Sequence, residues 1–426
     1  MLYKKFLKSE VLKSAGIYTA TSVINKAIPF LLIPILTMYL TPSDYGVLSM
    51  FGSLVTVITP FIGLTLYSAV SRVYFDQNEI DIKEYIFNVL LITFISTIVF
   101  IFIFVFFSRI ISKVSSVPVK FLWMAIVISL MGCISQIVLT LWQVQIKPFY
   151  FGTFQILNAL LNAGLCITFV VFMRKNWVGN VYAQLISTFI FFIISLTILW
   201  KSDWLKIKFN KKYTKHALKY GVSLIPHALG GVLMTLIDRL FITNMVGVTS
   251  TGLYTVGYQI GSIIGILALS VNQAYLPWLY SKLKMEDYNT NRNIVRKTYL
   301  YFIALLILSA MLSLFAPVLL KVFVSKEFAG SGAYVFWIAL GYAFTGMYYM
   351  ISGYIFYTQR TIYISIITLS LSALYVLLNY FFVKSKGAIG AAQATTILFF
   401  LRFVFTWILA SKVYKMPWIQ AIKRNY

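Results

Sequence analysis

Carboxylates are scarce in this chain. Only 11 Asp and Glu stand among 426 residues, against 36 Lys and Arg, and there are two histidines and two cysteines. Metal centres and acid–base pairs draw their groups from these residue types, so the material for either is thin. Cys133 and Cys166 both sit inside apolar runs, with no CxxC pair and no His at ligand spacing. That excludes a disulfide framework and a zinc or haem site. A GxSxG, an HExxH and a Walker loop are also missing, which leaves no hydrolase nucleophile and no direct ATP site. Long polar stretches are absent too. Charged residues make up 11% of the chain and hydrophobic ones 60%, too apolar a balance for a soluble protein to cover itself.

What is present is a succession of apolar runs, each near the 20 or so residues that cross a bilayer. They predict an all-α integral membrane protein of about twelve transmembrane helices, at roughly residues 15–40, 45–70, 85–107, 121–146, 150–173, 177–200, 217–246, 252–278, 295–324, 332–357, 361–383 and 389–411. The basic stretch Met1 to Lys13 precedes a run that is too long for a signal peptide, contains Lys26 and lacks a small-residue cleavage site. It is therefore expected to remain as the first helix.

The net charge of +25 would indicate nucleic acid in a soluble protein, but here Lys and Arg lie between the apolar runs rather than in one patch. Of the 36, 24 fall on the side that holds both termini, nine on the other, and the remaining three, Lys26, Arg239 and Arg402, inside helices. This bias predicts cytoplasmic termini and no nucleic-acid partner. The longest polar interruption, Lys201 to Lys219, divides the chain into residues 1–200, a basic linker at 201–215, and residues 216–426. Its lysines alternate with Trp204, Leu205, Ile207 and Phe209, as expected of a segment lying on anionic membrane lipids. Gly16 and Gly221 open corresponding helices, and Leu40 to Gly46 has a counterpart in Val246 to Gly252. Six helices per half make a repeat about an axis along the membrane normal, an arrangement that encloses a central site.

Lys26, Asp238, Arg239 and Arg402 are the ionisable residues furthest inside predicted helices, where a charge costs roughly 2.5 to 3.5 kcal/mol or more. They either pair between helices or line a cavity. Asp238 and Arg239 are neighbours pointing about 100° apart, and Lys26 lies about 10 Å from Asp238 in depth at 1.5 Å per residue, too far to pair. Three cations to one carboxylate suit an anionic ligand such as a diphosphate, whose oxygens accept charge-assisted hydrogen bonds. Arg72 ends the second helix as an interfacial anchor or a cavity cation. His227, beside Pro226, fits proton coupling or simple packing. Gln155, Asn158 and Asn162 form one polar stripe on the fifth helix, able either to bond sugar hydroxyls or to bond a neighbouring helix. Asn25, Asn272 and Gln273 offer the same chemistry with less pattern. Tyr348, Tyr349, Tyr354 and Tyr357 read as interface anchors or packing.

The stretch Leu40-Thr41-Pro42-Ser43-Asp44-Tyr45-Gly46, with Gly63-Leu64 and Ser71-Arg72-Val73-Tyr74 after it, resembles the start of the polysaccharide repeat-unit flippases. These are the O-antigen, lipopolysaccharide and capsule transporters of the MOP exporter superfamily. Ile237-Asp238-Arg239, Gly252-Leu253-Tyr254 and Pro277, taken as the end of the eighth helix, look like the same family's second-half pattern. The resemblance implies a MATE-like fold of two six-helix lobes around a V-shaped cavity lined by helices one, two, seven and eight. It implies an undecaprenyl-diphosphate-linked oligosaccharide carried by alternating access across a bacterial inner membrane, with Lys26, Arg72 and Arg239 as cavity cations. A polysaccharide polymerase and chain-length machinery would be partners; no cofactor is implied, and coupling to protons or sodium stays open. A multidrug exporter of the same fold would need acidic residues for organic cations, and only Asp238 is clearly within a span. A polymerase or membrane glycosyltransferase would need a long outer loop, and the longest, Ser108 to Lys120, is too short for one. The expected function is transport, not catalysis.

Overall fold

The computed structural model describes residues 2–76, 80–284, 287–358, 360 and 362–421, with side chains described for all of these except 2–15, 226, 227, 229–235 and 365. Every regular element among the described residues is helical. In chain order the α-helices are α1 (Leu2–Tyr39), α2 (Pro42–Gly63), α3 (Leu66–Val73), α4 (Ile82–Ser115), α5 (Val119–Val144), α6 (Pro148–Ile167), α7 (Asn176–Lys201), α8 (Lys211–Met245), α9 (Val248–Gly261), α10 (Ile263–Leu283), α11 (Tyr288–Phe323), α12 (Gly332–Tyr357), α13 (Ile362–Lys386) and α14 (Ala388–Val413). Among the described residues eleven spans are long and apolar enough to cross a membrane. The remaining long helix, α8, contains nine residues, 226, 227 and 229–235, whose side chains lie outside the description. Large apolar side chains such as Phe102 and Phe106 of α4 and Leu314 and Val322 of α11 are exposed, the surface that hydrocarbon requires and water penalises.

Several helix ends differ from the sequence expectation, and each difference has a local cause. The third span begins at Ile82 rather than Tyr85 because Asp81 caps it, accepting from the Lys83 amide at 3.0 Å. The ninth begins at Tyr288 rather than Val295 because Asp287 accepts from the Thr290 amide at 2.7 Å. Polar capping residues satisfy the free amides of a first turn and so start helices before the apolar run does. At α2 the cap is reciprocal: the Asp44 amide donates to Thr41 Oγ1 at 3.1 Å while the Thr41 amide donates to Asp44 Oδ2 at 3.2 Å, with Pro42 in the first turn. The linker is also shorter than expected, because Asn210 accepts from the Lys212 amide at 3.0 Å and α8 is helical from Lys211. Pro277 lies within α10, which continues to Leu283, rather than ending it.

Two predicted spans are broken. The second divides into α2 and α3 at Leu64 and Thr65, both left-handed with φ of 44° and 51°. A β-branched residue pays for that conformation in strain, and Thr65 is held in it by donating Oγ1 to the Gly221 carbonyl at 2.6 Å. Gly221 packs so closely on the Leu64 carbonyl that no side chain fits there. The eighth span divides into α9 and α10 at Ser262. Beside that break Gly257, Gly261 and Gly265 recur every fourth residue, and a Cβ on any of them would collide with α12, the close approach that small residues permit in membranes.

By packing, the chain forms two compact units, residues 1–244 and 245–426. The division by sequence falls on the linker at 201–215, so the two divisions differ by one helix. Bonds from Thr65 to the Gly221 carbonyl, from Arg239 to Ser49 and from Asn244 to the Val114 carbonyl tie α8 to the first unit. Within the first unit α5 is the central helix, packing on α2, α3, α4 and α7; within the second it is α12, packing on α9, α10, α11 and α14.

Candidate functional site

The charged residues expected inside spans occupy distinct settings. Asp238 is buried, and Arg239 beside it donates Nε to Ser49 Oγ at 2.7 Å, joining α8 to α2. Lys26 is exposed on α1, and no carboxylate among the described residues pairs with it. In the second unit the Arg402 guanidinium lies over the Tyr348 ring, 3.9 Å from its centroid, and its Nε is buried with no hydrogen-bond partner among the described residues. A cation stacked on an aromatic face stays charged while keeping hydrogen-bond donors free. Arg72, at the end of α3, is exposed and bonds Asp76 at 2.8 Å. The side chain of His227 lies outside the described residues.

The amides divide. Asn25 Nδ2 donates to Gln155 Oε1, which ties α1 to α6; Asn158 is half-buried, and Asn162 Oδ1 is buried without a partner among the described residues. Asn272 Oδ1 is likewise buried and unbonded among the described residues, while Gln273 is exposed. Tyr354 packs against Tyr414 and Trp418, and Tyr357 against Tyr280 and Tyr414.

The linker is not loose. Lys206 bonds Asp81 and Glu84 at 2.9 Å each, Lys208 reaches Glu84 at 3.1 Å, and Lys83 pairs with Asp203. The buried Asn88 accepts from the Asn210 amide at 2.9 Å and donates to the Lys208 carbonyl at 3.0 Å. The start of α4 thus straps the linker in place and takes up part of its positive charge. Lys206 holds the Asp81 carboxyl below its usual range, and the two carboxylates hold Lys206 above its own.

Of the polar groups that line the first unit's cavities, Arg72 is the one that the sequence singled out. One cavity, of about 530 Å³, is walled by α2, α3, α4, α5 and α8, with Thr59, Thr65, Tyr67, Thr93 and Gln136 among its lining. A second, of about 380 Å³, shares Tyr67 and Gln136 and continues past Thr140, Gln143, Arg72 and Tyr220. Both volumes suit small-molecule sites of about 300–1,000 Å³. In the second unit Tyr275, Trp278 and Lys297 line a cavity of about 500 Å³, with Lys297 Nζ 5.1 Å from the Trp278 ring centroid. Among the described residues no three His, Cys, Asp or Glu gather as a metal site would require.

Residues 11–284 match a protein family described as polysaccharide biosynthesis protein. Two proteins of Haemophilus influenzae are similar at 24% identity: an "Uncharacterized membrane protein" aligned over 394 residues, 91% of this chain and 92% of that one, and "Lsg locus putative protein 1" over 410 residues, 92% and 98%. Among solved structures, the inward-facing conformation of a multidrug resistance MATE family transporter of the MOP superfamily aligns with a TM-score of 0.67 at 15% identity, covering 91% of this chain and 94% of that one. The Vibrio cholerae MATE transporter VcmN in its bent form gives 0.60 at 14% identity, over 95% and 98%. The fold is that of these membrane transporters.

Proposed function

As a member of the polysaccharide biosynthesis protein family, matched over residues 11–284, this chain is, we propose, a flippase. It moves an undecaprenyl-diphosphate-linked oligosaccharide from the cytoplasmic to the outer leaflet of a bacterial inner membrane. Both termini and the 201–210 linker face the cytoplasm, and the product passes to a polysaccharide polymerase and its chain-length machinery. The observation that carries this reading is Arg402: a guanidinium within a span, stacked on Tyr348, with Nε unbonded and no carboxylate partner among the described residues. A bilayer retains such a cation when function repays its cost, and open guanidinium donors match the oxygens of a diphosphate.

Lys26 and Arg239 supply the first unit's share of positive charge. The polyprenyl tail stays in hydrocarbon throughout, so only the diphosphate and sugar need a polar path, and alternating access of the two halves provides it. Asp238, a buried carboxylate within a span, is the candidate for proton or sodium coupling.

The test is complementation of a flippase-deleted strain, read as full-length surface glycan. Arg402→Ala is expected to abolish it at unchanged membrane abundance, with Arg402→Lys retaining part. Lys26→Ala and Arg239→Ala should each reduce it. Full-length glycan from all three alanine variants would defeat the proposal.

A further inference from the structure

The two cavities of the first unit share Tyr67 and Gln136 and so adjoin, making a two-part groove between α3 and α5. Gln136, Thr140 and Gln143 follow one another at intervals of four and three along α5, which sets them on one face. Thr140 turns its hydroxyl to its own backbone, donating to the Gln136 carbonyl at 2.8 Å. The two glutamine amides have no hydrogen-bond partner among the described residues, and they front the groove. Tyr67 and Phe75 from the α3 side and Tyr220 from α8 bring aromatic side chains to the same space. Among the described residues that line the groove the one cation is Arg72, which is bonded to Asp76, so its charge is met within the protein.

We propose that this groove is a carbohydrate-binding subsite that reads the neutral sugars of the transported molecule. The assignment rests on the flippase reading and adds to it where the sugar, as opposed to the diphosphate, is held. Amides supply donors and acceptors together, as vicinal hydroxyls need, and aromatic rings offer apolar faces to the C–H faces of a pyranose. A phosphate or an anionic lipid headgroup would instead need an uncompensated cation, and the Arg72–Asp76 pair provides none. Gln136 and Gln143 are the specificity-determining groups, and Tyr67, common to both cavities, is the platform between them.

Saturation-transfer NMR on the full chain in lipid nanodiscs tests this, with free glucose, galactose, rhamnose and N-acetylglucosamine offered singly. At least one sugar is expected to receive saturation. That transfer should weaken about fivefold in Gln136→Leu and again in Gln143→Leu, the scale of one lost hydrogen bond, and should survive excess inorganic diphosphate. Gln143 is exposed, so its variant keeps the fold even where Gln136→Leu does not. No transfer from any of the four sugars, transfer unchanged in Gln143→Leu, or displacement by diphosphate would each overturn the assignment. Free sugar and no transport are involved, which separates the two readings. A chain that complements the deleted strain but fails here holds its sugar elsewhere, and one that passes here but fails complementation keeps the groove and loses the flippase.

Discussion

Helices α5 and α6 carry nearly the same device and put it to different uses. On α6, Gln155, Asn158 and Asn162 recur at three and four; on α5, Gln136, Thr140 and Gln143 recur at four and three. The first stripe meets α1: Gln155 accepts from Asn25, and one turn earlier a Cβ on Gly152 would lie 2.5 Å from Thr21 Oγ1. The second stripe meets a cavity: Gly132, in its lining, has nothing within 4 Å of the place a Cβ would take. Spacing tells which residues share a face. What covers that face is decided by the neighbouring helix, and only the packing discloses it.

The largest expected effect sharpens this contrast directly. Gly152→Val overpacks the α1–α6 contact and should cost about 1–3 kcal/mol, whereas Gly132→Ala fills open space and should stabilise α5 by about 0.5–1 kcal/mol through helix propensity. Thermal unfolding of the purified variants in detergent decides it: equal losses at the two positions would break the comparison. Next in size is Thr65→Val, which keeps the shape of the left-handed break beside the groove but removes the bond to the Gly221 carbonyl. A loss of about 0.5–1.5 kcal/mol is expected, and no change in unfolding midpoint would show that the bond does not hold the break. Smaller again is a double-mutant cycle between Asn25 and Gln155, where interhelical bonds in a membrane couple by about 0.6 kcal/mol. The same cycle between Gln136 and Gln143 should give no coupling in stability.

The unequal fates of the stripes also mark how far sequence reached. The eleven spans found among the described residues were legible because each needs a long apolar run, and family membership followed from short motifs such as Thr41 to Gly46 and Ser71 to Tyr74. Helix starts at Ile82 and Tyr288 were not, since Asp81 and Asp287 begin helices that hydropathy begins a turn or two later. The breaks at Leu64–Thr65 and Ser262 were hidden because they depend on contacts with Gly221 and α12, distant in sequence. The charged residues within spans could be named because charge within an apolar run is conspicuous. Their surroundings could not be: nothing near Arg402 in sequence announces Tyr348, 54 positions away. The α5 stripe went unread because its amides are separated by apolar residues and resemble packing; the interval that singled out α6 would have found it.

The smallest expected effect concerns the strap that precedes Tyr220, a wall of the open stripe. Lys206 lies between Asp81 and Glu84 and is itself exposed, so solvent screens these pairs and each contributes little alone. Their pH dependence is nevertheless defined. Asp81 is held below its usual range, chiefly by its hydrogen bond from Lys206; such a group stabilises the fold above its unfolded pKa of about 3.9 and loses that contribution as pH falls through the lower folded value. Lys206 is held above its own range by Glu84 and Asp81; its contribution is complete below about 10.4 and is lost as pH rises through the higher folded value. The strap should therefore be intact between about pH 4 and 10, and amide protection in residues 204–210 should be flat from about pH 5 to 9 once intrinsic exchange is corrected. Below about pH 4 protection should fall, and Asp81→Asn should lower it already at neutral pH while leaving the part of the acid step that belongs to Glu84, which Lys206 and Lys208 likewise hold below its usual range. A step near neutrality that survives Asp81→Asn would show that the linker is held by other groups, and that the wall of the groove does not depend on the α4 carboxylates.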